Sequence, residues 1–150
     1  MSIRNFMAQD HRNCDLLFSQ AENAVSAADW ATARQAFDAF VSVMERHLGI
    51  EEQVLFPAFE EETGIVTGPT EMMRMEHEQM RSLFTEMAGA LNREDSDDYL
   101  GEAETLLILM QQHNMKEEQI LYSMMDQRLD ANVSDWQEKF RCWEVEGGQP

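Results

Sequence analysis

This sequence predicts an all-α protein, an up-down-up-down four-helix bundle with a short C-terminal helical segment. Three observations predict it. Met, Glu, Gln, Ala and Leu dominate, while Gly (7) and Pro (3) are scarce among 150 residues, a balance that favours helix. Apolar residues recur at three and four positions, the period of an amphipathic helix. Four such stretches of about 20 to 32 residues are joined by short connections, as in a bundle of antiparallel helices.

The first helix is expected over residues 3–27, with Phe6, Met7, Cys14, Leu17, Phe18, Ala21 and Val25 on its inner face. Asp29 is a good N-cap for the second helix, because its carboxylate can accept from the free N–H groups of the first turn. That helix carries Phe37, Phe40, Val41, Met44, Leu48 and Leu55 and reaches about residue 62, with a kink or loosened turn expected at Pro57. Residues 63–69, from Thr63 through Gly64 and Gly68 to Pro69, read as a loop holding one helix stop and the next start. The third helix is expected over 70–91, a turn follows at 92–96, and the fourth helix runs over 97–129. Ser134 starts an expected short fifth helix with Trp136, Phe140 and Trp143. One domain is therefore expected over residues 1–131, with 132–150 an extension packed on the bundle or partly disordered.

Charge narrows the function. Acidic residues number 29 against 11 basic ones, a formal net charge of −18. Nucleic-acid and anionic membrane surfaces need clustered Lys and Arg, so neither is an expected partner. No apolar run approaches the roughly 18 residues of a membrane span. The N-terminus reads as no signal peptide, and Cys14 and Cys142 form no paired motif. The expected setting is a reduced cytoplasmic chain, a monomer or weak homodimer.

The chain repeats itself at an offset of 66 residues. His47-Leu48-Gly49-Ile50-Glu51-Glu52-Gln53-Val54-Leu55-Phe56 aligns with His113-Asn114-Met115-Lys116-Glu117-Glu118-Gln119-Ile120-Leu121-Tyr122. Asp10-His11 aligns with Glu76-His77, and Leu17-Phe18 with Leu83-Phe84. Two copies of one helical hairpin result, and all four histidines fall in them. Each hairpin supplies one histidine, then a His-x-x-x-Glu pair whose members share a helix face. From His11 to its turn and back to His47, both legs are roughly 25 Å at 1.5 Å per residue. His77 and His113 match in the same way, so the four imidazoles share one layer with Glu51 and Glu117.

One buried histidine is ordinarily a satisfied core residue. Two carboxylates buried among four imidazoles are costly without a cation. The expected metal ligands are therefore His11, His47, Glu51, His77, His113 and Glu117. Imidazole and carboxylate without thiolate suit iron, manganese or zinc. Six ligands exceed one tetrahedral zinc and suit two ions with both glutamates shared, an oxo or hydroxo bridge, and open positions. Open positions on iron mean chemistry with O₂, NO or peroxide. A ferritin-like site is disfavoured, because Ala8, Met44, Arg74 and Met110 stand three residues before the histidines and none is acidic.

His11, His47-x-x-x-Glu51, His77 and His113-x-x-x-Glu117, with their Glu-Glu-Gln flanks, resemble the hemerythrin-like (HHE cation-binding) domain over about residues 3–129. The resemblance implies a four-helix bundle holding a non-haem, bridged di-iron centre, with zinc or manganese as alternative occupants. Oxygen-carrying members have a second histidine where Arg81 stands, and an aspartate where Glu118 stands. The set of four His and two Glu is more similar to bacterial members linked to nitrosative stress and iron–sulfur centre repair. The implied function is binding of or reaction with O₂ or NO, in sensing, scavenging or stress response, rather than bulk oxygen carriage. The alternatives are an iron donor or repair factor and a structural metal-binding bundle. No nucleophile or general base is visible apart from the metal ligands, so a dedicated enzyme is not the first expectation.

Three neighbours invite roles around the site. Asp15 and Arg81 are repeat equivalents of opposite charge, expected to pair beside the metals, to face solvent, or, for Asp15, to act as an extra ligand. Cys14, equivalent to Met80, reads as packing with a redox or ligand role as the alternative. Tyr122 and Phe56 lie nine residues past their histidines, about half a helix rotation away, so Tyr122 is read as neither a ligand nor a radical site. The acidic pairs at 51–52 and 117–118 are read as solvated, apart from the two ligands.

Overall fold

Two helical hairpins of the same build make the fold. The computed structural model describes residues 2–129 together with Glu138. The expected fifth helix with Trp136, Phe140 and Trp143 lies outside the described residues, and among them there is no strand. The first hairpin is α1 (Ile3–Ser26) and α2 (Trp30–Ile50), extended through a π-helical turn (Glu51–Leu55) into α3 (Phe56–Thr63). The second is α4 (Pro69–Asn92) and α5 (Ser96–Lys116), extended through a second π turn (Glu117–Leu121) into α6 (Tyr122–Arg128). α1 packs on α2 and α5, and α4 packs on α5 and α2. The four rods thus close a bundle in which α1 and α4 are diagonal.

The repeat extends to the turns. Ala28 and Glu94 take left-handed backbone conformations at φ 55° and 54°. The N–H of Asp29 reaches the carbonyl of Ala24 at 2.9 Å, and that of Asp95 reaches Ala90 at 2.9 Å, closing each preceding helix. Asp29 and Asp95 then cap α2 and α5, accepting from the N–H of Thr32 and of Asp98. Between the hairpins Gly64, at φ 73°, ends α3 with its N–H on the Glu60 carbonyl. A side chain there would strain the left-handed backbone.

The expected loosening near Pro57 takes a specific form. The turn before it is π-helical, with the Phe56 N–H reaching the Glu51 carbonyl five residues back. The same turn recurs at Glu117–Leu121, where Ser123 stands in place of Pro57. Proline is therefore not its cause. Both π turns begin at a proposed ligand glutamate, in keeping with their frequency at functional sites.

Two apolar clusters sandwich a polar layer. The larger lies toward the hairpin turns around Phe18, Phe37, Phe40, Phe84, Tyr99 and Leu106. The smaller, around Ile3, Met7, Leu55, Phe56, Phe59, Met73, Leu121 and Met125, closes the other end. Asp126 ties the chain start there, accepting from the N–H of Ile3 at 2.8 Å and of Arg4 at 3.2 Å. No helix among the described residues is long and apolar enough to cross a membrane.

Candidate metal centre

All four histidines lie in the layer between the two clusters. They come one each from α1, α2, α4 and α5 and are buried, with exposures of 4, 2, 0 and 1% for His11, His47, His77 and His113. Each hairpin brings its pair together, with ring centroids 4.6 Å apart for His11 and His47 and 5.1 Å for His77 and His113.

Glu51 and Glu117 stand between these pairs, both at 0% exposure. Glu51 Oε1 is 3.2 Å from His77 Nε2 and 3.6 Å from His47 Nε2. Glu117 Oε1 is 3.2 Å from His11 Nε2, and its Oε2 is 3.2 Å from His113 Nε2. Each carboxylate thus reaches one histidine of either hairpin. Two groups of convergent ligand atoms result, each with its atoms within 4.8 Å of one another: Glu51, His77, His113 and Glu117, and His11, His47 and Glu117.

A cation fits this donor set. Glu51 Oε1, His77 Nε2, His113 Nε2 and Glu117 Oε2 are buried without a hydrogen-bond partner. Orphaned buried polar atoms are costly, and here all four lie within one group of convergent ligand atoms. Imidazole and carboxylate are ligands for a divalent first-row ion.

Proton accounting leads to the same place. A carboxylate only accepts, so each imidazole facing one through Nδ1 carries its hydrogen there. Four do so: His11 to Glu118 at 2.8 Å, His47 to Asp10 at 2.7 Å, His77 to Glu52 at 2.6 Å and His113 to Glu76 at 2.7 Å. All four Nε2 atoms are thereby directed inward. His11 Nε2 and His47 Nε2 share a hydrogen bond at 3.0 Å, which requires a second proton on one of the rings. Burial alone disfavours that charge, but Glu117, Glu118 and Glu51 raise His11 to about 9. Burial likewise opposes charge on His77, yet Glu51, Glu52 and Glu117 raise it to about 9. Without a cation the histidines themselves supply the positive charge, and a metal has to replace those protons.

Burial, and next to it the neighbouring Glu117, pushes Glu51 up. Glu117 is equally buried, but His113, Glu51 and His11 hold it well below the usual carboxylate range. The Tyr122 hydroxyl lies 2.7 Å from Glu51 Oε2 and 2.9 Å from Glu117 Oε1. One hydroxyl hydrogen serves only one of these oxygens, so the other contact needs a carboxyl proton, which the upward shift of Glu51 favours on that residue.

The structure brings the six proposed ligands together and revises their surroundings. Arg81 does not pair with Asp15. Its guanidinium holds both oxygens of Glu52, at 2.9 and 3.0 Å, and also reaches Glu45 and Glu78. Asp15 is exposed on α1, diagonal to α4, and belongs to neither group of ligand atoms. Cys14 is buried in the larger apolar cluster, outside both groups, and burial pushes its thiol far up. Glu52 and Glu118 are not solvated, since they orient His77 and His11.

Asp10, Glu52, Glu76 and Glu118 form an outer ring missed in the sequence. Its signal was present: an acid before His11 and His77, and a second acid after Glu51 and Glu117. Lys116 bonds Glu76 on one side of this ring. Tyr122 lies in the layer rather than half a rotation away from it. Nine residues of α-helix turn a side chain by 180°, but the π turn absorbs one residue, about 100°, and rotates Tyr122 into the layer. Its equivalent, Phe56, stacks on His77 at 5.6 Å.

A family model, the hemerythrin HHE cation binding domain, matches residues 2–125. Neither the curated proteins nor the solved structures give a match.

Proposed function

We propose, for a chain that belongs to the hemerythrin HHE cation-binding domain family, that it holds two iron ions and binds or reacts with O₂ or NO in sensing, scavenging or stress response. The observation that carries the reading is the placement of Glu51 and Glu117. Each spans both histidine pairs, the arrangement two neighbouring cations need. His11 and His47 would hold one ion and His77 and His113 the other. Iron held there supplies reversible one-electron chemistry and positions open to a diatomic ligand.

The chain's own residues prepare the site in three ways. The outer carboxylates fix each tautomer by accepting from Nδ1–H, which keeps Nε2 aimed inward and raises ligand basicity. Glu51 and Glu117 lower the charge of the filled layer. Phe56, Leu55, Leu121 and Met73 on one side, and Cys14, Met80 and Met110 on the other, keep bulk water out. Such a site suits a metal- and small-molecule-binding protein better than a dedicated enzyme.

The test is metal analysis of the purified chain, with visible spectra before and after dithionite, air and NO. About two irons per chain, with visible absorption that bleaches on reduction and responds to air or NO, is the expected result. A colourless zinc protein, or no uptake of ferrous iron under anaerobic loading, would remove the gas-binding function.

A further inference from the structure

The repeat makes the layer nearly two-fold symmetric, and one residue breaks that symmetry inside it. Tyr122 lies beside His11, with ring centroids 5.8 Å apart, where its equivalent Phe56 lies beside His77 at 5.6 Å. The difference between the two rings is one hydroxyl group.

That hydroxyl lies against both imidazoles of one pair, and its closest contact, at 2.7 Å, is Glu51 Oε2. It is 3.3 Å from His11 Nε2, 3.5 Å from His47 Nε2 and 2.9 Å from Glu117 Oε1. These are the three residues of the smaller ligand group. The same two Nε2 atoms are also bonded to each other at 3.0 Å. A cation entering there must part the imidazoles and displace the phenol. The other group also has protons to lose, since His77 Nε2 lies 3.2 Å from Glu51 Oε1 and His113 Nε2 lies 3.2 Å from Glu117 Oε2, but Phe56 brings no hydroxyl to compete there.

We propose that Tyr122 makes the two metal positions unequal: the position framed by His77, His113, Glu51 and Glu117 fills first, and the position framed by His11 and His47 fills second, against the Tyr122 hydroxyl. This rests on the two-ion reading above and adds an order of filling and a residue that controls it. Outer charges act against that order. Arg81 sits on Glu52 behind His77, whereas its equivalent Asp15 adds a negative charge near Glu118 behind His11. Lys116 on Glu76 is matched by Arg46 near Asp10. Arg81 and Asp15 act through the outer carboxylates, one contact removed from the ligand atoms, while the phenol acts at the ligand atoms themselves. Two hydrogen bonds broken at the second position correspond to an affinity lower by about ten-fold or more.

The experiment is an anaerobic titration of the metal-free full chain with Co(II), followed by visible absorption and calorimetry. Wild type should bind in two steps separated by about ten-fold or more. At one equivalent the Nδ1–H resonances of His77 and His113 should be hyperfine-shifted, with those of His11 and His47 less perturbed. Tyr122→Phe should tighten the second step to within a few-fold of the first and change the first less, because the phenol touches that position only through Glu51 and Glu117. Phe56→Tyr, which adds a hydroxyl at the equivalent place, should weaken the first step and keeps the test open should Tyr122→Phe fold poorly. Equal steps in wild type, first occupancy at His11 and His47, or a second step unchanged in Tyr122→Phe would each overturn the proposal. So would a second step weakened in that variant, because the phenol would then assist the ion. No binding at either position would remove the metal-centre reading and this inference together, whereas two equal steps would remove this inference alone.

Discussion

Glu52→Ala tests whether the outer ring of carboxylates serves metal binding or only stability. Glu52 accepts from His77 Nδ1 at 2.6 Å and holds Arg81 at 2.9 and 3.0 Å. Its side chain is 15% exposed, so its bond to His77 is largely shielded from solvent. Hydrogen bonds to charged groups contribute roughly 1.5–3 kcal/mol, and losing an outer partner of a metal-bound histidine costs about 10–100-fold in affinity. The two figures agree, since each ten-fold is about 1.4 kcal/mol. The assay is anaerobic competition for ferrous iron between the chain and a chromophoric chelator. Glu78→Ala is the control, because Glu78 also bonds Arg81, makes no bond to His77 and is 75% exposed. Glu52→Ala should lose about 10–100-fold, Glu52→Gln less, and Glu78→Ala under about two-fold. An affinity for Glu52→Ala within about two-fold of wild type would refute the reasoning, as would equal losses in both alanine variants.

Three further predictions follow from the same geometry. The metal-free and loaded forms should respond oppositely to pH: His11 and His77, raised to about 9 in the fold from 6.5, stabilise the metal-free chain fully below pH 6.5 and lose that contribution as pH rises through about 9. Metal needs neutral imidazole, so loaded protein should gain over metal-free protein across that window, and a metal-free melting temperature that stays flat or rises there would contradict the assignment. Ala28→Gly and Glu94→Gly should each stabilise by about 1 kcal/mol in urea unfolding, because both residues hold left-handed backbone; a loss would contradict this. Phe40→Ala should destabilise by roughly 3–5 kcal/mol without changing metal stoichiometry, since Phe40 is fully buried against Phe18 and Phe84 in the cluster away from the metal layer.

The bundle and the six convergent side chains were legible because each rests on a period. Four equivalent histidines set a level along straight α-helix, where rise per residue is fixed. The outer ring was equally periodic, Asp10 with Glu76 and Glu52 with Glu118, yet it read as solvated charge. A helical pattern says which face an acid lies on but not which neighbouring helix receives it. Arg81 failed for a related reason. Sequence equivalence with Asp15 places both on corresponding faces of α1 and α4, but these helices are diagonal, and Arg81 reaches Glu45 and Glu52 instead.

Tyr122 was hidden by something else. Its angular position depends on how tightly the chain winds between Glu117 and Leu121, and a π turn carries no sequence signature as plain as a proline. Pro57 drew attention to one of the two π turns, but the other forms without proline, so a shared demand explains both better. Each π turn starts at a buried glutamate proposed as a ligand and ends just before an aromatic ring in the layer, Phe56 or Tyr122. Regular α-helix would point that ring away from its histidine. The extra residue in each turn lets one segment supply both a carboxylate and the ring that covers an imidazole. Once that geometry exists in both hairpins, the choice of Phe or Tyr at its end decides whether the two halves of the site are alike.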